Sequence, residues 1–184
     1  MSSSAIRDLA YIAVFAALII VFAFVAIPVG AAGVPIVLQN AIIILTGLIL
    51  GGKRGVAAAL LFLLVGLIGL PVMAGGRQLL PALAGPTVGY IVGYVISPAV
   101  AGFLAYRPAA SRSGRLVNLA LGGAFGLITQ YVCGAIGLMI VTSMSLNAAA
   151  AAQLPFILLD TVKICIMVAI ASGVHAAFPA LTRR

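Results

Sequence analysis

LPFILLDTVKICIMVAIASGVHAAF, residues 154–178, is an apolar run much longer than a buried strand. A helix that crosses a bilayer needs roughly 20 mostly apolar residues, because only an internally hydrogen-bonded backbone is stable in hydrocarbon. Five similar runs fill most of the remaining chain, near residues 9–27, 35–50, 55–72, 83–105 and 116–141. We therefore predict an all-α, polytopic membrane protein, a compact bundle of six transmembrane helices forming a single domain over residues 1–184.

The composition agrees with this prediction and narrows the function. Of the 184 residues, 65% are hydrophobic and 7% are charged, whereas soluble domains have roughly 45–50% apolar and 25% charged residues. The net charge of +8 comes from short clusters between the apolar runs, without a basic stripe interleaved with aromatic residues. The chain therefore has membrane lipid as its expected surroundings, and nucleic-acid binding is excluded.

The positions of the cations predict the orientation, because Lys and Arg near span ends are retained on the cytoplasmic side. With the N-terminus inside, Arg77 is the single cation on the outer side, and Lys163 lies within the sixth span. The eight remaining cations all fall on the inner side: Arg7, Lys53, Arg54, Arg107, Arg112, Arg115, Arg183 and Arg184. Both termini are therefore predicted to be cytoplasmic.

Asp160 and Lys163 are ionisable residues at membrane depth, and such residues are costly unless they are paired or hydrated. Their spacing of three places them on one face of a helix, where they can pair. With the sixth span starting outside near residue 154, they lie roughly 9 and 14 Å below the outer surface. Two interpretations stay open: a structural clamp between helices, or a binding site for a polar small molecule reached from outside.

Uncharged polar residues on other spans are further candidates for the same site. The fourth span carries a polar and aromatic stripe of Thr87, Tyr90, Tyr94 and Ser97. Tyr90 is the better candidate for packing on a ligand ring, whereas Tyr94 is equally well explained as an anchor at the membrane interface. Gln39 and Gln130 need polar partners in hydrocarbon, so each either lines the cavity or bonds another helix.

The segment Ala74-Gly75-Gly76-Arg77-Gln78 joins the third and fourth spans on the outer side. Its glycines permit unusual backbone angles, so the segment can fold over a site as a lid. Arg77 either captures an acid group of a ligand or is simply solvated.

Glycines recur at the four-residue spacing that allows transmembrane helices to approach closely, at 47 and 51, at 85, 89 and 93, and at 122 and 126. We interpret them as helix-packing positions.

Several kinds of chemistry are missing from the sequence. No nucleophile lies near a suitable base at mid-depth, so no catalytic residues are predicted. Two acids and one His provide no plausible metal site. No P-loop is present, so any ATP-driven step requires a partner, and we predict neither an enzyme nor a cofactor.

Four motifs then occur together: VPIVLQ at 34–39, GLIGLPVMAGG at 66–76, GPTVGY at 85–90 and Asp160-x-x-Lys163. Over essentially its whole length the chain resembles the BioY family, the biotin-binding S components of energy-coupling factor (ECF) transporters. The resemblance implies a prokaryotic cytoplasmic-membrane protein with a biotin site open to the outside, capped by the loops between spans one and two and between spans three and four. The alternatives are an S component for another small vitamin, or a structural membrane protein clamped by Asp160 and Lys163.

The resemblance also implies roles for individual residues. Asp160 and Lys163 would take the polar groups of biotin, and Tyr90 and Gln39 would line the site. The bundle would dock on a transmembrane T component carrying two ATPase subunits, through small residues on the first helix that correspond to Ala13 and Ala17.

Overall fold

A computed structural model of the protein describes residues 3–27 and 36–181. This part of the chain contains eight α-helices, one pair of two-residue strands and a terminal 3-10 turn. In chain order they are α1 (Ser3–Ala23), β1 (Ala26–Ile27), β2 (Ile36–Val37), α2 (Gln39–Leu50), α3 (Gly52–Leu67), α4 (Leu79–Leu83), α5 (Val88–Ala105), α6 (Arg112–Thr142), α7 (Leu146–Ala151), α8 (Leu154–Ala177) and the turn Pro179–Leu181.

Helix α2 is the centre of the bundle. Its sequence, QNAIIILTGLIL, is apolar on every side after the first two residues, and all 12 of its residues are buried. A helix that is hydrophobic all round has to be surrounded by other elements, and α1, α3, α5, α6 and α8 pack against it. The polar start of α2 therefore lies inside the bundle, where it can contribute to a site.

The bundle has two chemically different ends. One, which we call the cavity end, contains the end of α1, the strand pair, the α3–α4 connection and α7. The other, the basic end, contains the start of α1, the α2–α3 turn, the α5–α6 connection and the end of α8. Asp8 of α1 forms an ion pair with Arg54 of α3 there, at 2.5 Å. Among the described cations, Arg77 and Lys163 alone lie away from the basic end; Arg183 and Arg184 are outside the described residues.

Each of the six predicted spans corresponds to one of the longer helices. Four of the described helices, α1, α5, α6 and α8, are long and apolar enough to cross a membrane. Helix α2, with 12 residues, and α3, with 16, are shorter. The fourth span begins five residues later than predicted, at Val88, because Gly85 and Pro86 lie in the break between α4 and α5. The third span ends five residues early, at Leu67, and the chain turns at Gly69, which has a φ of +96°.

The prediction of an all-α fold missed the short strand pair. Strands β1 and β2 are antiparallel, with Ala26 opposite Val37 and Ile27 opposite Ile36. Apolar, mostly β-branched residues such as these suit extended structure, but two-residue strands are too short to produce an alternating pattern. The strand pair lies at the cavity end of the bundle, with β1 following α1 and β2 preceding α2.

The packing interpretation of the glycines is confirmed at five positions and wrong at Gly85, whereas Gly51 ends a helix and also has its backbone close to Gly102 of α5. A Cβ on Gly89 would overlap the Cys133 carbonyl and come within 3 Å of Gly137 on α6, so α5 and α6 meet backbone to backbone. Four further glycines also make close contacts with neighbouring helices: Gly47, Gly93, Gly122 and Gly126. By contrast, Gly51 ends α2 with a φ of +76°, and Gly85 lies outside the helices and makes only ordinary contacts.

Candidate functional site

The inner face of α8 carries an ion pair near the middle of the bundle. The Lys163 ammonium donates to Asp160 Oδ1 at 2.6 Å and to the backbone carbonyl of Val37 at 2.6 Å. Asp160 and Lys163 are only 4% and 9% exposed, so neither charge is solvated by bulk water. The predicted pairing is confirmed, and the second bond of Lys163 joins α8 to β2.

Tyr131 of α6 completes this polar cluster. Its hydroxyl donates to Asp160 Oδ2 at 2.8 Å, so each carboxylate oxygen accepts a hydrogen bond from the protein. Sequence reasoning missed this residue. The sequence marks Tyr131 only weakly as a site residue. It directly follows Gln130, and two adjacent residues of a helix both face inward only where the buried face of that helix is wide.

A cavity opens beside this cluster at the cavity end of the bundle. Its empty volume, including the open mouth, is about 580 Å³. It is lined by Ile36, Val37, Asn40, Met73, Ala74, Arg77, Thr87, Tyr90, Ile91, Tyr94, Gln130, Tyr131, Phe156 and Asp160. Aromatic and aliphatic walls with a few polar groups suit a small, partly apolar ligand.

The predicted polar stripe of α5 faces inward. Thr87, Tyr90 and Tyr94 line the cavity, and Ser97, one turn deeper, accepts a hydrogen bond from Gln130 Nε2 at 3.0 Å. The interpretation of Tyr94 as an interfacial anchor was wrong: its side chain is 7% exposed and packs against Phe62, with ring centroids 6.4 Å apart. Helix α5 therefore supplies one aromatic wall.

Two polar atoms near the cavity have no hydrogen-bond partner among the described residues. They are the Tyr90 hydroxyl and Asn40 Oδ1, and both are buried. Buried polar atoms without a partner are costly, so these two atoms are suited to a ligand. Asn40 was missed by sequence reasoning, although it directly follows Gln39 at the polar start of α2.

The turn at residues 73–77 covers one side of the cavity. Gly75 and Gly76 adopt φ values of +72° and +75°, and the Gly75 N–H donates to the Ala23 carbonyl at 2.8 Å. Met73 is buried against the cavity, whereas Arg77 is exposed at the mouth, where its Nε donates to the carbonyl of residue 74 at 3.1 Å. The turn is thus placed as the predicted lid requires. The other predicted cap, residues 28–35, lies outside the described residues.

The remaining predicted site residues are distributed unevenly. Gln130 lines the base of the cavity. Gln39 is fully buried but does not line the cavity; its Nε2 donates to the Val72 carbonyl of the α3–α4 connection at 2.8 Å, and its Oε1 has no partner among the described residues. Gln78 is exposed and is not a lining residue. Lys163 lies behind the wall, one hydrogen bond from Asp160.

Ala13 and Ala17, the residues assigned to the partner contact, lie on the outer surface of α1. Both are exposed, whereas Ala16 between them is 3% exposed and faces the bundle. A flat strip of small side chains is therefore accessible on this helix.

Comparison with known proteins agrees with this architecture. A sequence model described as the BioY family matches residues 1–180. The chain is 39% identical to the biotin transporter BioY of Rhodobacter capsulatus over 174 residues, covering 87% of this chain and 88% of the relative. It is 33% identical to the biotin transporter BioY of Rhizobium etli, covering 97% and 98%.

A solved structure is similar over nearly the whole fold. The crystal structure of the S component for biotin from an ECF-type ABC transporter superposes with a TM-score of 0.85 at 31% identity. The alignment covers 96% of this chain and 95% of that one. The matching sequence, length and helix arrangement together show that this chain belongs to the BioY family.

Proposed function

We propose that this protein captures biotin for uptake across the cytoplasmic membrane, as the S component of an ECF transporter. The observation that carries the proposal is the buried Asp160–Lys163–Tyr131 cluster beside an open cavity with aromatic and polar walls, in a chain similar to biotin transporters over most of its length. Six helices cross the membrane in this proposal, with α2 and α3 as the short ones. The basic end faces the cytoplasm, in agreement with the retention of cations on that side, so the cavity opens outward.

The polar groups of the site complement the ureido ring of biotin, which has two N–H donors and one carbonyl acceptor. Asp160 accepts one ureido N–H through a lone pair left over from its bonds to Lys163 and Tyr131. Asn40 Oδ1, without a partner among the described residues, accepts the other. The Tyr90 hydroxyl, which lines the cavity and has no partner among the described residues, donates to the ureido oxygen. Lys163 acts through Asp160, whose carboxylate it holds in place.

The rest of the ligand lies between the polar cluster and the mouth of the cavity. The fused sulfur ring packs between Tyr94 and Phe156, since both line the cavity. The carboxylate tail points to the mouth, where Arg77 supplies a positive charge. Gln130 and Gln39 act indirectly, by fixing the start of α2 and the connection after α3, and Gln78 has no direct role.

The proposal is tested by isothermal titration calorimetry of the purified protein with biotin, together with thermal shifts for biotin, thiamine and riboflavin. We expect saturable binding of one biotin per chain and a thermal shift with biotin alone. Absence of both biotin signals would refute the proposal. A shift with another vitamin instead would keep the transport class and change the substrate.

Tyr131→Phe should weaken biotin binding about tenfold. The change removes a hydrogen bond to a charged acceptor, which is worth about 1.5–3 kcal/mol, but leaves the ring in the cavity wall. Tyr106→Phe is the matched control, because it removes a hydroxyl that donates to the Ile49 carbonyl at the basic end. Calorimetry should give unchanged affinity for the control; equal affinities for the two variants would show that Tyr131 does not orient Asp160.

The partner assignment gives a separate prediction. Ala13→Trp with Ala17→Trp should abolish co-purification with a T component and two ATPases, because two indole rings replace a flat strip. Biotin binding should be unchanged, since both residues lie outside the cavity. Ala169→Trp, on the exposed face of α8, controls for bulk at the membrane surface. An intact complex with the α1 double variant would exclude this docking face.

A further inference from the structure

A second cleft lies at the basic end, between the start of α6 and the end of α8. Its empty volume is about 680 Å³. It is lined by Arg112, Arg115, Leu116, Leu119, Ser172, His175 and Ala176. This α6–α8 cleft is at the opposite end of the bundle from the Asp160 cavity and shares no lining residue with it.

The polar side chains of the cleft come from one face of α6 and one face of α8. Arg112 and Arg115 are three residues apart on the first turns of α6, and Ser172 and His175 are three apart near the end of α8, so each pair projects from one face. The His175 ring is fixed by an edge contact with Tyr106, at 5.6 Å between centroids. Two guanidinium groups thus face a fixed polar wall.

No acidic side chain within the described part of the chain pairs with these arginines. The chain has only two acidic residues, and the structure pairs Asp8 with Arg54 and Asp160 with Lys163. No ion pair to Arg112 or Arg115 occurs within residues 3–27 and 36–181. Guanidinium groups bind phosphate with two parallel N–H donors, so a phosphate from outside the chain is the complementary group.

The neighbouring surface indicates where that phosphate comes from. Next to the two arginines, Leu116 and Val117 are 49% and 55% exposed, and they begin the apolar run of a helix that can cross a membrane. Cations followed immediately by exposed apolar side chains match a phospholipid, whose headgroup and acyl chains are joined in the same order. Basic pockets between transmembrane helices are suited to anionic headgroups.

We infer that the α6–α8 cleft binds one anionic phospholipid of the leaflet at the basic end. Arg112 and Arg115 hold its phosphate, Ser172 and His175 face the rest of the headgroup, and the acyl chains lie along Leu116. The arginines give selectivity for anionic over zwitterionic lipid, since a zwitterionic headgroup carries its own cation.

The test is a thermal-shift titration of the purified full-length protein in detergent with phosphatidylglycerol, phosphatidylcholine or inorganic phosphate. We expect phosphatidylglycerol to raise the melting temperature saturably and the other two to have little effect. Arg112→Gln with Arg115→Gln should weaken the apparent affinity for phosphatidylglycerol by about tenfold or more, since each cation near a membrane surface contributes about a factor of five.

The matched control is Lys53→Gln with Arg107→Gln, which removes the same charge from a neighbouring cleft at the same end. This variant should keep the response to phosphatidylglycerol. Equal loss in both double variants would mean diffuse attraction and would overturn the inference, as would an equal shift with inorganic phosphate or phosphatidylcholine. Biotin titration of all variants checks their folding, and its result does not depend on the lipid arm.

Discussion

Replacing Asp160 by asparagine should weaken biotin binding on the order of 100-fold, the largest effect expected from any single change in the cavity. The carboxylate holds Lys163 and Tyr131 in place and remains available as a ligand acceptor. A hydrogen bond to a charged group contributes about 1.5–3 kcal/mol, and each 1.4 kcal/mol is about tenfold in affinity. Asparagine has nearly the same shape, so calorimetry of this variant reports the loss of charge rather than of volume.

Asp8→Asn is the matched control, because Asp8 is the other acid of the chain and also forms an ion pair. It lies at the basic end, so biotin affinity should stay at the wild-type value. Size-exclusion chromatography and melting without ligand must show that the Asp160 variant is folded, since its change leaves the Lys163 ammonium without a carboxylate. A folded Asp160→Asn protein that binds biotin within about threefold of wild type would remove the residue from the site.

Gly89→Ala should destabilise the bundle by about 2–3 kcal/mol, although only one methyl group is added. Glycine to alanine within a helix normally stabilises by about 0.5–1 kcal/mol. At Gly89 the new Cβ would overlap the Cys133 carbonyl and contact the backbone of Gly137, which cannot move as a flexible side chain can. Overpacking of this kind costs about 1–3 kcal/mol or more. The measurement is the melting temperature and the monodisperse yield in detergent.

Gly173→Ala is the paired control for this prediction. Gly173 is also a helical glycine, but a Cβ there would meet no atom within 4 Å. Its melting temperature should be equal to or higher than that of wild type, so the two variants should shift stability in opposite directions. Similar shifts for both would show that the α5–α6 contact does not limit stability.

The sequence predicted those features of the fold that depend on long patterns. Apolar runs of about 20 residues located α1, α6 and α8, and the polar stripe of Thr87, Tyr90 and Tyr94 correctly indicated the inner face of α5. The breaks were harder to predict: hydropathy does not distinguish the Gly85-Pro86 interruption from a continuous span. The strand pair is shorter than any periodicity can reveal.

The sequence analysis found the charged residues of the site and missed two uncharged ones. Asp160 and Lys163 were evident because a charge in hydrocarbon needs an explanation. Tyr131 and Asn40 carry no charge, and their roles depend on which helices meet. Gln39 was correctly expected to need a polar partner, but its Nε2 donates to the backbone of Val72 and its side chain does not line the cavity.

The backbone contact between α5 and α6 also makes one wall of the cavity rigid. Tyr90 and Tyr131 stand on two helices that glycines hold together, so this wall of the cavity cannot widen without breaking the best-packed interface of the bundle. The turn at residues 73–77 covers another side of the cavity, and its single described backbone bond to α1 runs from Gly75 to Ala23. We therefore expect a change at this turn to alter the residence time of a ligand without changing the residues that recognise it.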